Sequence, residues 1–360
     1  MSFTPSFINC RFVWENPEID VLLEKAERLL AELNSKVDCV PDVESFIKMS
    51  VLKEATDSNR IAGTKTEFDD IVLPQEVINP EKRDDWQEAQ NYIKAVNFAI
   101  CKLSKLPLSI RLLKETHEIL VADVRGQSRD PGNIRRVQTR IGGSSLSDAF
   151  FIPPSPEKIP CLLSDLEKFW HNKCLQIPEL IKIAITHYQF ETIHPFLDGN
   201  GRCGRLLIVL QLIDAKILKV PVLYMSTFFE KHRDSYQESL SMVHESNDLE
   251  QWIVFFLYGI GNTAQRELET CKTIIALHEE YEKKILPLRS RVKNAQKLLN
   301  FMYSEPTVSV NLVVERFNMS YSTVNRLLKS LTELGVLKET RDRSRNRLFA
   351  LEKYLNLFRN

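Results

Sequence analysis

The stretch that decides the reading is His194-Pro195-Phe196-Leu197-Asp198-Gly199-Asn200-Gly201-Arg202-Cys203-Gly204-Arg205. Ahead of it, residues 181–193 carry apolar side chains at helical spacing; behind it, residues 206–213 are apolar almost throughout. This pattern predicts a tight loop between two buried helices, with the loop's last residues opening the second helix. A helix N-terminus offers unbonded N–H groups and the positive end of the macrodipole. Glycines let a ligand come close to the backbone, and Arg202 and Arg205 lie about one turn apart on one face. Together these make an anion site sized for several phosphates. Asp198 is a hard oxygen donor suited to Mg²⁺ carrying those phosphates, and His194 can take a proton near neutrality. A base, a metal ligand and a phosphate cradle in one loop point to nucleotide-dependent group transfer.

Gly199, Gly201 and Gly204 also spell G-x-G-x-x-G, but the dinucleotide fingerprint follows a strand, and the segment preceding it here has helical spacing. The stretch instead resembles the Fic family signature H-P-F-x-D-G-N-G-R-x-G-R and matches it at every specified position. That resemblance implies a protein adenylyltransferase: ATP and Mg²⁺ as ligands, and transfer of AMP to a Ser, Thr or Tyr hydroxyl of a target protein or of the chain itself. A few family members transfer phosphate or phosphocholine, and some remove AMP. Carried over by position, the resemblance implies His194 as general base, Phe196 as buried anchor of the loop, and Asp198 as Mg²⁺ ligand. Gly199, Asn200 and Gly201 would form the anion hole. Arg202, Gly204 and Arg205 would complete the phosphate grip, with Arg205 nearest the γ-phosphate.

At 360 residues the chain is long enough for two or three domains. With 43% hydrophobic and 27% charged residues and a net charge of zero, it reads as an ordinary globular chain. No global field announces a nucleic-acid or membrane partner. The balance is uneven, however: residues 291–360 hold 13 Lys/Arg against 6 Asp/Glu. The seven cysteines are scattered without a C-x-x-C pair or zinc spacing, as expected of free thiols in a reducing compartment. No basic start followed by an apolar core is seen, and no apolar run reaches the ~20 residues of a membrane span. A cytoplasmic protein without membrane contact is the expectation.

Three further segments bear on function. A helix over about 42–62 ends in Ser58-Asn59-Arg60-Ile61-Ala62-Gly63. This resembles the family's inhibitory pattern [ST]-x-x-x-E-[GN], whose Glu pairs with the second arginine of the motif and keeps ATP from binding productively. Ser58 and Gly63 match; the Glu position is Ala62, through natural loss or through substitution. Next, residues 129–143 read as a turn leading into a β-like run, and Ala149–Pro154 as the outgoing strand. This resembles the family's flap hairpin after P-G-x-[IFY]-R, with Ile141, Gly142, Phe151 and Ile152 placed to hold a target segment by added-strand pairing. An aromatic group, Tyr224, Met225, Phe228, Phe229 and Tyr236, is a candidate wall for adenine.

Residues 287–360 resemble a winged helix-turn-helix. Asn325, Arg326 and Lys329 would face outward on its recognition helix, and Arg343 and Arg345 would lie at the wing tip, as contacts for DNA or for a protein partner, including a second copy in a homodimer. The expected organisation is therefore mainly α: an N-terminal helical region over 1–105, a Fic-type helical core with a small β-hairpin flap over 106–286, and the winged helix over 287–360. A DNA-binding regulator with a vestigial core is the rival reading.

Overall fold

A computed structural model describes residues 2–73, 78–122, 130–145, 147–340 and 347–359. Its helices run α1 (Pro17–Val37), α2 (Val43–Ile61), α3 (Phe68–Ile71), α4 (Arg83–Leu103), α5 (Ile110–Leu120), α6 (Ile159–His171), α7 (Glu179–Ile193), α8 (Asn200–Asp214), α9 (Ser226–Lys231), α10 (Arg233–Ser246) and α11 (Leu249–Ile285). The C-terminal part adds α12 (Val292–Ser304), β1 (Thr307–Ser309), α13 (Val310–Phe317), α14 (Tyr321–Glu333), β2 (Lys338–Thr340), β3 (Leu348–Ala350) and α15 (Glu352–Arg359). The fold is mainly α, with a winged helix at its C-terminal end.

The two segments flanking the motif are the buried centre. Helices α7 and α8 are enclosed on nearly every side, as helices apolar all round must be, and they pack against each other. Around them lie α4, α5 and α2 on the α8 side and α6 and α11 on the α7 side. Helix α1 lies along α11. Helix α2 touches α4, α8 and α9 within the core and α12 and α15 of the winged helix, and α11 likewise touches both parts.

Helix α2 starts on Asp42, whose carboxylate accepts from Ser45 N (2.9 Å). It stops in a Schellman turn: Thr64 N donates to Asn59 O (3.1 Å) and Gly63 N to Arg60 O (3.0 Å), with Gly63 at φ 98°. A side chain there would be strained, so Gly63 is a helix terminator by conformation.

In the winged helix β3 is the central strand, antiparallel to both β1 and β2, with Phe349 opposite Val308 on one side and Glu339 on the other. Strand β1 and helix α15 have no counterpart among the elements expected from the sequence. Helix α15, with α12, joins this unit to the rest. Phe358 packs against Phe46 and Phe68, its carbonyl accepts from Lys53 Nζ (3.1 Å), and Arg359 pairs with Asp69 (2.7 Å). Among the described residues, no helix is long and apolar enough to cross a membrane.

Candidate active site

The motif loop begins where α7 fails to continue. His194 closes the helix with its N–H on Phe190 O (3.0 Å) and adopts the left-handed conformation, φ 50° and ψ 61°. Pro195 cannot supply the next helical N–H. A non-glycine residue in this region is strained unless its surroundings fix it, and such strain gathers at functional sites. The surroundings here are explicit. Arg135, 1% exposed, donates from Nε to His194 O (2.8 Å) and from its backbone N–H to Pro195 O (2.9 Å). Its Nη atoms reach the carbonyls of Val137, Pro154 and Ile193. Bonds to all of these backbone carbonyls make this arginine a brace for the turn.

A second brace lies below the loop. The His117 ring stacks on Phe196 at 3.8 Å and 4°. Its Nδ1 accepts from Gly132 N (2.9 Å), so its proton sits on Nε2, which donates to Asp198 O (2.9 Å). Burial lowers its pKa to about 4, which keeps that tautomer neutral. Phe196 is 1% exposed. The Asn200 side chain closes the loop on itself, accepting from Phe196 N (2.8 Å) and donating to Phe196 O (2.9 Å). The Asn200 amide is thus committed to the Phe196 backbone.

Helix α8 opens at Gly199, φ 76°, so the N–H groups of its first turn face the loop. Gly204 leaves space for Glu191: a Cβ there would stand 2.1 Å from Glu191 Oε1, so that side chain would have to move. Gly201 faces Arg205 Nη1. The two motif arginines are buried, at 3% and 4% exposure, and each is held by a helix of the N-terminal region. Arg205 donates from Nε to Ser58 Oγ (2.9 Å) and from Nη2 to Ser58 O (2.8 Å). Arg202 donates from Nη1 to Glu88 Oε2 (3.1 Å) and Asn59 Oδ1 (3.4 Å), and from Nη2 to Asp198 Oδ2 (3.3 Å). Glu88, on α4, carries no signal in the sequence beyond its place in an amphipathic helix.

These groups surround a cavity of about 740 Å³. Its walls are the end of α2 at Ile61 and Ala62, the motif loop, the flap and α10. Ala62 is thus on the same cavity as Arg205. Two buried polar atoms of wall residues have no partner: Glu191 Oε1 and Arg202 Nε. Burial lowers the His194 pKa to about 4, leaving the imidazole neutral and able to accept a proton at pH 7. Burial raises Glu191 to about 7, with Arg205 opposing the shift.

Two expectations need correction. Of the five residues offered as an adenine wall, only Tyr236 lines the cavity; Tyr224, Met225, Phe228 and Phe229 are core. Phe229 lies over Tyr236 (4.4 Å) and His187, which turns it away from the opening. On that side the cavity is lined by the α10 face of Arg233, Tyr236, Gln237 and His244, spaced by helical turns and readable only once α10 is placed. The flap is shorter than the expected pair of strands. Ile141 and Phe151 exchange both backbone bonds (2.9 and 3.1 Å), and among the described residues no ladder extends from them. A two-stranded ribbon has too little partner surface to extend further by itself. Ile141, Gly142 and Phe151 line the cavity; Ile152 directs its carbonyl outward, to Phe3 N (2.9 Å). On the winged helix, Arg326 and Lys329 are exposed and Asn325 is half-buried beside Arg347 (3.5 Å); Arg343 and Arg345 lie outside the described residues.

A family model for the Fic/DOC family matches residues 107–212, one for the Fic/DOC family N-terminal region matches 21–101, and one for a winged helix-turn-helix DNA-binding domain matches 293–338. The chain is 30% identical over 139 residues to protein adenylyltransferase Fic of Aedes aegypti, covering 38% of this chain and 24% of that protein. It is 24% identical over 206 residues to the protein of the same name from Drosophila erecta, covering 52% and 39%. It thus spans well under half the length of these relatives. A solved Fic family protein from Desulfovibrio desulfuricans superposes with a TM-score of 0.62 at 18% identity, over 95% of this chain and 98% of that one. Fic-1 from C. elegans gives 0.57 at 22%, over 71% and 73%. At such identities these two likenesses concern the fold.

Proposed function

The chain belongs to the Fic/DOC family, and from that premise we propose that it is a protein adenylyltransferase, moving AMP from ATP to a Ser, Thr or Tyr hydroxyl of a protein. The observation that carries this reading is the pair of unpartnered polar atoms on one cavity, Glu191 Oε1 and Arg202 Nε, beside His194 and an open helix N-terminus. Buried polar groups are normally bonded, so two orphans on one cavity wall favour a polar ligand that completes them. The cavity size suits a nucleotide.

In the proposed reaction the target oxygen bonds to the α-phosphorus, its proton passes to His194, and the bond to the β-phosphate oxygen breaks to release pyrophosphate. The N–H groups of Gly199, Asn200 and Gly201 and the guanidinium groups of Arg202 and Arg205 receive the phosphate charge, and Gly204 leaves room for Glu191. Asp198 is the candidate metal ligand: its carboxylate is 38% exposed beside Arg202. One carboxylate suits Mg²⁺, which keeps several waters and takes phosphate oxygens as its remaining ligands. Bound there, the ion would draw charge from the phosphates.

Ser58, Ala62 and Gly63 form the regulatory end of α2, with the inhibitory carboxylate missing at Ala62. On this reading the chain transfers AMP without a brake on Arg205, and Ala62 weighs against AMP removal. The flap residues Ile141, Gly142, Phe151 and Ile152 hold the target.

Mass spectrometry of the protein and a candidate target after incubation with ATP and Mg²⁺ tests the reaction: an AMP adduct supports it, and a phosphate adduct alone replaces it. A second reading, DNA binding by the winged helix, is favoured by the exposed Arg326 and Lys329 on α14.

A further inference from the structure

The strands of the flap leave an edge, and the chain itself covers it. Because strand residues alternate in direction, Phe151 bonds inward to Ile141 while the Ile152 carbonyl faces the other way. That carbonyl accepts from Phe3 N (2.9 Å). The Phe3 ring, half-buried, lies 4.7 Å from His244 and 5.8 Å from Phe151, and those two rings stack on each other at 4.2 Å and 12°. His244 and Phe151 both line the nucleotide-sized cavity, so the seat of Phe3 is at its rim. The segment then runs away from the cavity. Thr4 Oγ1 accepts from Lys158 Nζ (2.9 Å), Ser6 O accepts from Gln189 Nε2 (2.9 Å), and the Asp165 carboxylate accepts from Ile8 N (2.7 Å) and Asn9 N (3.2 Å).

We propose that the outer edge of the flap, the Ile152 carbonyl with the Phe151–His244 ring pair, is a docking surface for an extended, uncharged segment bearing an aromatic side chain, and that its resident occupant is this chain's own Ser2–Phe7. The recognition is by strand addition: a backbone bond supplies register and an aromatic seat supplies selectivity. Ser2–Phe7 contains no charged residue, and Asp165 anchors the residues that follow it. The tether keeps the segment at a high effective concentration, so weak contacts suffice to hold it. A target segment using this edge must displace the strap, which makes the strap a selector against segments that bind the flap poorly. The proposal rests on the reading of the flap as the target holder, but the docking itself can be measured without any transfer.

The probe is a fluorescent synthetic peptide, Ser-Phe-Thr-Pro-Ser-Phe-Ile-Asn, with the sequence of residues 2–9. It is titrated by anisotropy into the full chain and into the full-length Phe3→Asp variant, whose strap should leave its seat. The expected result is binding to the variant at least about tenfold tighter than to the parent, because only the parent's edge is occupied in cis. A peptide with Phe3 replaced by Ala should bind neither protein. Hydrogen exchange should quicken across residues 149–152 in the variant and slow again on adding the peptide. Phe3 is half-buried at the cavity rim and away from the helical core, so the variant should stay folded, with only a small drop in melting temperature. Equal affinity for both proteins, or unchanged exchange in 149–152, overturns the proposal. If the peptide binds as expected while neither protein incorporates AMP, the docking surface stands and the enzymatic reading falls.

Discussion

Two N-terminal helices reach the motif loop, and they hold its arginines by different means. Helix α2 meets Arg205 with a hydroxyl and a carbonyl of Ser58, both neutral. Helix α4 meets Arg202 with the Glu88 carboxylate, in an ion pair whose side chains are 4% and 6% exposed. A neutral partner orients a guanidinium and leaves its charge for a ligand; a carboxylate in a dry place cancels much of it. The two contacts therefore assign different work to two arginines three residues apart. On the proposed reading Arg205 is the grip for the nucleotide's phosphates, with Glu54 and Glu191 as charged neighbours outside these two contacts. Arg202 is a strut shared by Glu88, Asn59 and Asp198, with one donor, Nε, still unused.

The comparison presumes that both arginines serve one reaction at His194, so the largest expected effect is there. His194→Ala should lower AMP transfer by about a thousandfold, within the usual range for losing a general base, and leave ATP binding near the parent's. A time course of labelled AMP incorporation with a parallel nucleotide titration checks both. Next is the difference between the arginines. Ala62→Glu places a carboxylate on the cavity wall that Arg205 shares, and gives Arg205 the kind of partner Arg202 already has. Displaced phosphates put the α-phosphorus out of line, and misplacement by about an ångström can cost on the order of a hundredfold in rate. Equal rates for the parent and the Ala62→Glu protein would show that the end of α2 does not govern the grip.

The asymmetry between α2 and α4 is also one of legibility. The motif announces itself because its base, carboxylate, glycines and arginines lie within twelve consecutive residues, between helices whose apolar pattern is plain. The end of α2 is readable because Ser58 and Gly63 carry a pattern, and Gly63 does stop the helix. Glu88 is not, since it meets Arg202 from 114 residues away and looks like any acidic residue of a surface helix. Arg135 and His117 are hidden for the same reason: their roles are bonds to the backbone of a loop that sequence cannot place beside them. The aromatic group at 224–236 misleads because a run of large side chains fits a core as well as a pocket, and only the placement of α10 decides. Phe3 and helix α15 act through contacts between residues far apart in the chain, which periodicity does not encode.

Removing Glu88 probes the other side of the comparison. Glu88→Ala leaves Arg202 with Asp198 and Asn59, so the loss should be partial: about 2 kcal/mol of stability, the scale of a charge-assisted hydrogen bond, and about a tenfold drop in transfer through the misplaced strut. Glu88→Gln keeps a hydrogen-bond acceptor for Arg202 and should recover most of the stability. Denaturant melts and transfer rates on the three proteins separate orientation from charge. If Gln is as damaging as Ala, the carboxylate charge itself is what α4 contributes.

A smaller effect concerns the pH dependence of the base these arginines flank. The reactive form of His194 is neutral, and with its pKa lowered to about 4 by burial that form persists as the pH falls from 7 to 5.5. Transfer should change by less than about twofold over this window, and fail only as the pH nears the lowered value. Glu191, raised to about 7 by its own burial, titrates inside the window, so the profile should be taken on Glu191→Gln as well. A midpoint near the ordinary histidine value in both proteins would mean that His194 ionises as a solvated imidazole.

The smallest effect on transfer is expected from the region most distant from the motif. Arg326 and Lys329 are exposed on α14, Lys329 facing Glu333 at 4.0 Å, and neither belongs to the helices α12 and α15 that meet α2. Arg326→Ala with Lys329→Ala should leave AMP transfer unchanged. If the winged helix binds DNA, the double substitution should weaken binding to a mixed duplex library and lower the slope of log affinity against log salt by about two, one for each phosphate no longer neutralised. Weaker binding without a change in slope would mark base contacts in place of phosphate contacts. No binding at low salt by the parent would leave α14 as a surface for protein. A change in transfer would carry the further lesson that events at the winged helix reach Arg205, with α2, which touches both regions and bonds Arg205 through Ser58, as the first route to test.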